Sequence, residues 1–414
     1  MTVGLRIRYD DVWLLDGVRT PFADYNTVLG LVSPTDLGIK VVRTIFQRTT
    51  VPPSDVNLVV AGNMAQASFD AYVLPRHIGL YSGVPVEVPA HMVQRVCGTG
   101  IEAILTAADS IQLGKAELGL VVGTESMSRN PIAAYTHRSG FGMGQVEFKD
   151  FLWEALLDTC PNETMGGSTE TLARRHHISR EEADGFAAES FARALAAQKS
   201  CFLSGEIVPL VNEVFELAGY QPRGIKLARG TEKLEQDTHI RPSPLEVLAK
   251  LKPAFGGVQT GGNSSGIVDG AAATLVASGN YSRRAKKPAL AKVVAGTVVG
   301  VPPEMMGIGP VPAIQSLLDL AGLNLEQIDR FEINEAFAAQ VLACQRELGL
   351  DRSKLNVNGG AIAIGHPLGA TGVRLAITLA RELKRSGGRF GIASACIGGG
   401  QGIALLLERP ETNA

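Results

Sequence analysis

Short apolar runs of strand length alternate along the chain with stretches whose apolar residues recur at helical spacing. The runs Val12–Leu15, Leu58–Ala61, Leu118–Gly123, Leu290–Gly296, Phe331–Ile333, Arg389–Ala395 and Ile403–Leu407 predict strands. Most are continuously apolar rather than alternating, which predicts sheets buried on both faces and hence an α/β architecture. Ser33-Pro34 predicts a helix start, a capping hydroxyl followed by a proline whose missing N–H is not needed in the first turn. Ser179–Glu182 (SREE) reads as a capping box, and behind it Phe186, Ala187, Ser190, Phe191, Ala194 and Leu195 recur at helical spacing.

The same pattern repeats within the chain. Laid over itself with a shift of 272 residues and no gap, Gly100 falls on Gly372, the helical run from Ile101 on that from Val373, and the strand opening at Gly119 on that at Gly391. Upstream, Asn63 in VVAGNM pairs with Asn334 in FEINEAF at a shift of 271. Three elements in one order predict a duplication. Two halves of roughly 130 residues leave part of the chain over, which predicts an insertion. From about Ser128 to Gly266 the strand–helix rhythm breaks into a Gly/Met-rich stretch, the capped helix and a polar loop around Gly219–Pro244. A segment of that kind inside an α/β chain reads as a cover over a site.

Composition narrows the function. Lys+Arg 39 against Asp+Glu 41 gives a net charge of -2, which lacks the basic excess of a general nucleic-acid binder. Five cysteines without CxxC spacing suggest neither a disulfide framework nor a zinc site, and fit a reducing compartment. Acidic Asp10–Asp11 interrupts any signal-like run, no stretch is apolar enough to span a membrane, and the ending ETNA matches no retention signal. Cytoplasm is the expected location. Glycine stands out, at 47 of 414 residues against the usual ~7 %, which implies places where backbone must approach closely.

Four residues carry candidate chemistry. Cys97 lies in VCGTG (Val96–Gly100), just before a helix expected from near Ile101. A thiol there would face the positive end of a helix dipole, which predicts a lowered pKa; a small cysteine packing the turn fits the same pattern. His366, in NGGAIAIGHPLGATG (Asn358–Gly372), occupies the corresponding turn of the second half. If a pseudo-twofold axis relates the halves, the two turns meet and the imidazole can take the thiol proton; a structural histidine in a glycine-rich bend is the alternative. Cys396 ends a strand and enters CIGGGQG, where glycine N–H groups can face a developing oxyanion. Asn334 either caps the helix that follows it or orients a water toward a substrate carbonyl. The GGGQG run lacks the lysine of a phosphate loop. His77, His91, His137, His176, His177 and His239 read as surface or loop residues, and Cys160, Cys201 and Cys344 as structural.

With these residues assembled, the chain resembles the thiolase family nearly end to end. The likeness runs through VRTPF from Val18, VCGTG, MGGSTE from Met165, SREE, EIVPL from Glu206, Arg241 and LKPAF from Leu251. It continues through GNSSGIVDG from Gly262, MGIGP from Met306, NEAF from Asn334, GHPLGATG from Gly365 and CIGGGQG from Cys396. The resemblance implies a five-layered α-β-α-β-α fold of two similar halves, 1–127 (completed by 267–284) and 285–414, with a loop domain at 128–266 covering an acyl-CoA site. It implies that Cys97 is acylated, that His366 activates it, and that Cys396 is the acid/base toward the carbanion. His366 with a water on Asn334 would form one oxyanion hole, and the N–H groups of Cys97 and Gly398 the other. Ser265, Met165, Met306, Phe337 and Arg241 would contact CoA or line its pocket.

No metal or permanently bound cofactor is expected; coenzyme A is substrate and product, and the assembly a homodimer or homotetramer. Gly98 after the nucleophile points to acetyl-CoA acetyltransferase chemistry, two acetyl-CoA to acetoacetyl-CoA and CoA. A broader or longer-chain 3-ketoacyl-CoA thiolase is the neighbouring reading. A non-catalytic acyl-CoA or lipid-binding relative is disfavoured because no catalytic residue is missing, and a decarboxylating ketoacyl synthase because it would use two histidines with one cysteine. Thr164 stands where many members carry histidine, and Gly219–Thr238 matches poorly.

Overall fold

The computed structural model describes residues 4–68, 70–135 and 137–411. The ends read above for targeting signals, residues 1–3 and 412–414, lie outside the described residues. Ten strands form the main sheet: β1 (Gly4–Arg19), β2 (Ala23–Asp24), β3 (Leu58–Gly62), β4 (Ala90–Val93), β5 (Leu118–Glu125), β6 (Val268–Ser278), β7 (Ala291–Gly300), β8 (Arg330–Ile333), β9 (Phe390–Ile397) and β10 (Gln401–Glu408). Their order is β8-β9-β10-β7-β1-β6-β5-β3-β4, with β2 paired to β6. Outward from the β1–β7 pair the two sides match: β6, β5, β3 on one and β10, β9, β8 on the other. In both, the innermost connections are antiparallel and the outer pair, β3–β5 or β8–β9, is parallel.

Seven helices matter for the site: α1 (Pro34–Thr49), α2 (Thr99–Gln112), α3 (Met165–Arg175), α4 (Arg180–Lys199), α5 (Pro310–Ala321), α6 (Ala338–Leu348) and α7 (Leu368–Ser386). The repeat shows itself physically where α2 meets α7. A Cβ on Gly372 would stand 2.2 Å from the backbone N of Ile101, and one on Gly100 2.6 Å from that of Val373. Only glycine lets the two backbones touch there. Both helices also pack on strands of each half, so they form the middle layer. α1 buries Leu37, Val41, Val42 and Ile45 against Val59, Leu120, Val122 and Leu275 on one outer face, and α5 packs on β7 and β10 on the other. The result is the expected α-β-α-β-α layering.

All seven expected strands form, mostly longer at their ends. The apolar pattern does not predict β6, β4 or the two-residue β2. β6 (VDGAAATLVAS) is fully buried save its last residue, yet built of small residues because its neighbours leave little room: a Cβ on Gly270 would sit 2.3 Å from the Phe22 ring. Both expected caps form, Ser33 accepting from Thr35 N and Ser179 with Glu182 closing the capping box. Between β5 and β6 the chain folds into α3, α4, shorter helical turns and four short antiparallel ribbons. Among the described residues no helix is long and apolar enough to cross a membrane.

Candidate active site

Cys97, His366 and Cys396 line one cavity of about 410 Å³, walled by the inserted segment. The symmetry that brings α2 against α7 thus also brings their preceding turns together. Cys97 sits in a single helical turn, Val96–Gly98, that runs into α2. Val96 before it has φ +42°, a conformation a β-branched residue adopts only at a cost of about 1–3 kcal/mol. Its neighbours hold it there: Thr99 Oγ1 donates to Val96 O (2.6 Å) and accepts from Arg95 N (2.9 Å), and Arg95 pairs with Glu102 at 2.8 Å.

The electrostatics of Cys97 differ from the sequence expectation. Burial pushes its thiol up to about 11, although the N–H groups of Gly398 and of Cys97 itself favour the thiolate; buried Glu125 adds to the rise. The helix terminus is present, but desolvation of the charge outweighs it. Cys396 is likewise raised well above an ordinary thiol by burial, with Cys97 and Cys344 as neighbours. Both are therefore neutral thiols near neutral pH.

His366 is prepared to receive a proton. Thr371 Oγ1 donates to Pro367 O (3.1 Å), so its lone pair accepts Nδ1–H of His366 (2.5 Å). That leaves Nε2 as the acceptor, facing the Asn334 amide at 3.3 Å. Burial, with Arg374 nearby, lowers the imidazole to about 3, so it is neutral at physiological pH. Asn334 does not cap the next helix: its Nδ2 goes to His366 and its Oδ1 is buried without a partner. An orphan acceptor at that spot fits a water or a substrate group. Gly398 is held to glycine by Met165, whose sulfur would lie 2.9 Å from a Cβ there.

Ser265, Met165, Met306 and Phe337 line the cavity as expected, with Met127, Trp153, Leu156, Phe255 and Leu368 adding apolar surface. Thr164 also borders it, its hydroxyl capping α3 at Gly167 N. Arg241 does not line it. Its guanidinium lies 5.3 Å from the Phe191 ring centre and donates to the His239 carbonyl at 3.0 Å. His239, read from sequence as a surface or loop residue, does lie in a loop but is buried and borders the cavity. Its only signal was its place two residues before Arg241. Gly98 has a packing cause: a Cβ would stand 2.6 Å from the Ile397 side chain. Among the described residues no group of three or more His, Cys, Asp or Glu is placed to hold a metal ion.

A mirrored α/β fold closing two buried thiols and a neutral imidazole around one apolar cavity defines an acyl-transfer enzyme. Residues 12–280 match the thiolase N-terminal domain and 287–409 the thiolase C-terminal domain. This chain belongs to the thiolase family. It is 41% identical over 401 residues to the mitochondrial 3-ketoacyl-CoA thiolase of Homo sapiens, covering 96% of this chain and 98% of that one. It is 42% identical over 408 residues to a beta-ketoadipyl-CoA thiolase of Acinetobacter baylyi, covering 96% and 99%. The crystal structure of human mitochondrial 3-ketoacyl-CoA thiolase in complex with CoA superposes with a TM-score of 0.91 at 40% identity, covering 99% and 100%. That of the Bacillus anthracis acetyl-CoA acetyltransferase does so at 0.90 and 38%, covering 97% and 99%. Thiolases use CoA as a substrate and need no permanent cofactor.

Proposed function

We propose that this thiolase cleaves 3-ketoacyl-CoA of several chain lengths with CoA, and runs the reverse condensation on the same groups. The observation that carries the reading is the cavity shared by Cys97, His366 and Cys396, with its largely apolar wall. In thiolysis Cys97 Sγ attacks C3 of the substrate while His366 Nε2 takes the thiol proton. The alkoxide forms against the N–H groups of Cys97 and Gly398. The C2–C3 bond then breaks with its electron pair going to C2, giving an acetyl-CoA enolate. Its thioester oxygen is met by His366 Nε2–H and by a water on Asn334, and the Cys396 thiol protonates C2. The incoming CoA thiol gives its proton to the Cys396 thiolate and attacks the acyl-Cys97 thioester. Cys97 leaves and recovers its proton from His366.

The broad 3-ketoacyl reading gains support from the names of several relatives, and Gly98, packed on Ile397, has a cause in packing besides the chemistry read from it. The likeness to the acetyl-CoA acetyltransferase of Bacillus anthracis keeps a C4 preference as the second reading. Thiolysis rates on C4, C6, C8 and C16 3-ketoacyl-CoA separate them. Activity extending past C4 is expected, and a rate confined to C4 assigns the acetyltransferase reading. Cys97→Ala should lose activity by several orders of magnitude; full activity in that variant would remove the assignment. A homodimer or homotetramer, proposed from the resemblance, is read directly by light scattering.

A further inference from the structure

His239 is a buried imidazole that the acyl-transfer chemistry above does not use. Its Nδ1 is hydrogen-bonded to Asp24 Oδ1. Asp24 is itself fixed, Thr238 Oγ1 donating to its Oδ2 at 2.7 Å and accepting from its backbone N at 2.8 Å. Burial would raise this carboxyl, but the bonds from His239 and Thr238 hold it below its ordinary range. The ring is therefore anchored at one edge. Its opposite edge carries Nε2, which is buried and has no partner, and lies against Gly266. A Cβ on Gly266 would stand 2.8 Å from both Cδ2 and Nε2 and 2.9 Å from Cε1. Gly266 is in turn the backbone partner of the catalytic base: its carbonyl accepts the His366 N–H at 2.9 Å, while its own N–H goes to Ala361 O at 3.3 Å.

These contacts form one line from β2 in the first half, through the inserted segment, to the turn that carries the base in the second. We infer that His239, anchored by Asp24, is a positioning residue for His366, its ring bracing Gly266 so that the Gly266 carbonyl fixes the height of the base above Cys97. The bracing needs a flat ring against a residue without a Cβ, which explains why glycine stands at 266 in a segment whose φ does not demand it. A base displaced by about 1 Å loses up to about a hundredfold in rate, so a backbone support of this kind is worth a great deal to turnover and little to substrate affinity.

The inference rests on the proposed role of His366, and the test separates the two. Steady-state thiolysis is measured for His239→Ala, Asp24→Asn, Gly266→Ala and the double variant His239→Ala/Gly266→Ala, with thermal melts of each. His239→Ala should lower kcat about tenfold or more with KM for both substrates within about twofold, and Asp24→Asn should lower kcat less. Gly266→Ala should lose as much as His239→Ala or more. The double variant should be no slower than Gly266→Ala alone, because removing the ring makes room for the new Cβ. A loss appearing in KM for CoA with kcat intact would make His239 a substrate contact and overturn the inference, as would additive losses in the double variant. The rate of Cys97 alkylation by iodoacetamide gives a readout that needs no turnover. If His366→Ala slows alkylation and His239→Ala does not, the brace is wrong; if His366→Ala has no effect, it is the role of His366 that fails.

Discussion

At the residue scale, the nucleophile is held as a neutral thiol and is not pre-ionised. With its pKa at about 11, Cys97 is deprotonated only as it attacks, and the proposed acceptor is His366 Nε2, which lines the same cavity and must first give up the Asn334 amide at 3.3 Å. In His366→Ala, where only the thiolate fraction reacts, alkylation of Cys97 by iodoacetamide, followed by peptide mass to separate it from exposed Cys160 and Cys201, should rise about tenfold per pH unit from pH 7 to 10 without a plateau. The wild type, whose imidazole can take the proton, should react faster at pH 7 and depend less on pH. A plateau near pH 7 in that variant would mean a stabilised thiolate and would refute this account. The catalytic positions were legible in the sequence because each sits in a short glycine-rich motif at a strand or helix end. The ionisation state of Cys97 was not, because burial is a sum over distant chain. Nor was His239, whose setting comes from Asp24 and Gly266, far apart in the chain.

At the element scale, the crossing of α2 over α7 fixes the distance between the two catalytic turns. Gly372→Ala places a methyl 2.2 Å from Ile101 N, where backbone must move and no side chain can swing away. We expect a loss of about 3 kcal/mol or more, read by urea unfolding, together with reduced activity because the Cys97 and His366 turns are forced apart. Unchanged stability would mean the helices are not in backbone contact. This contact was foreshadowed by the 272-residue shift that laid Gly100 on Gly372. β6 was not, since Gly270 and the alanines around it carry little strand propensity and dilute the Thr274–Val276 stretch. Its strand character comes from pairing with β1 and β5 on either side, and its small residues from the volume those neighbours leave. The middle segment's short ribbons were equally illegible, being two or three residues each.

At the scale of the whole molecule, joining two halves around one site buries a carboxyl between them, others are buried within the fold, and together these set how stability depends on pH. Glu125 ends β5 and accepts from Met64 N (2.9 Å), Gly369 N (2.8 Å) and Asn63 Nδ2 (3.1 Å), tying the first half to the start of α7. Burial nonetheless raises it to about 7, and raises Asp269 to about 6 and Glu332 to about 8. A carboxyl raised on folding holds a proton that the unfolded chain releases, so its contribution is complete below the unfolded pKa and is lost as pH rises through the folded one. His366 acts oppositely, since its lowered pKa adds stability as pH rises from about 3 to 6.5, but that gain is complete by pH 6.5. Above pH 6.5 Asp269 has already ionised, but Glu125 up to about pH 7 and Glu332 up to about pH 8 are left unopposed, and unfolding free energy should fall. Glu125→Gln should lower stability at pH 5, where it replaces a neutral acid, and flatten the curve between pH 5 and 7 by up to about 1.4 kcal/mol per pH unit. Urea unfolding at pH 5, 6, 7 and 8 on both proteins measures this. A wild-type curve that is level or rising from 6.5 to 8, or a variant with the same slope as wild type, would show that these carboxyls are ionised in the fold despite their burial.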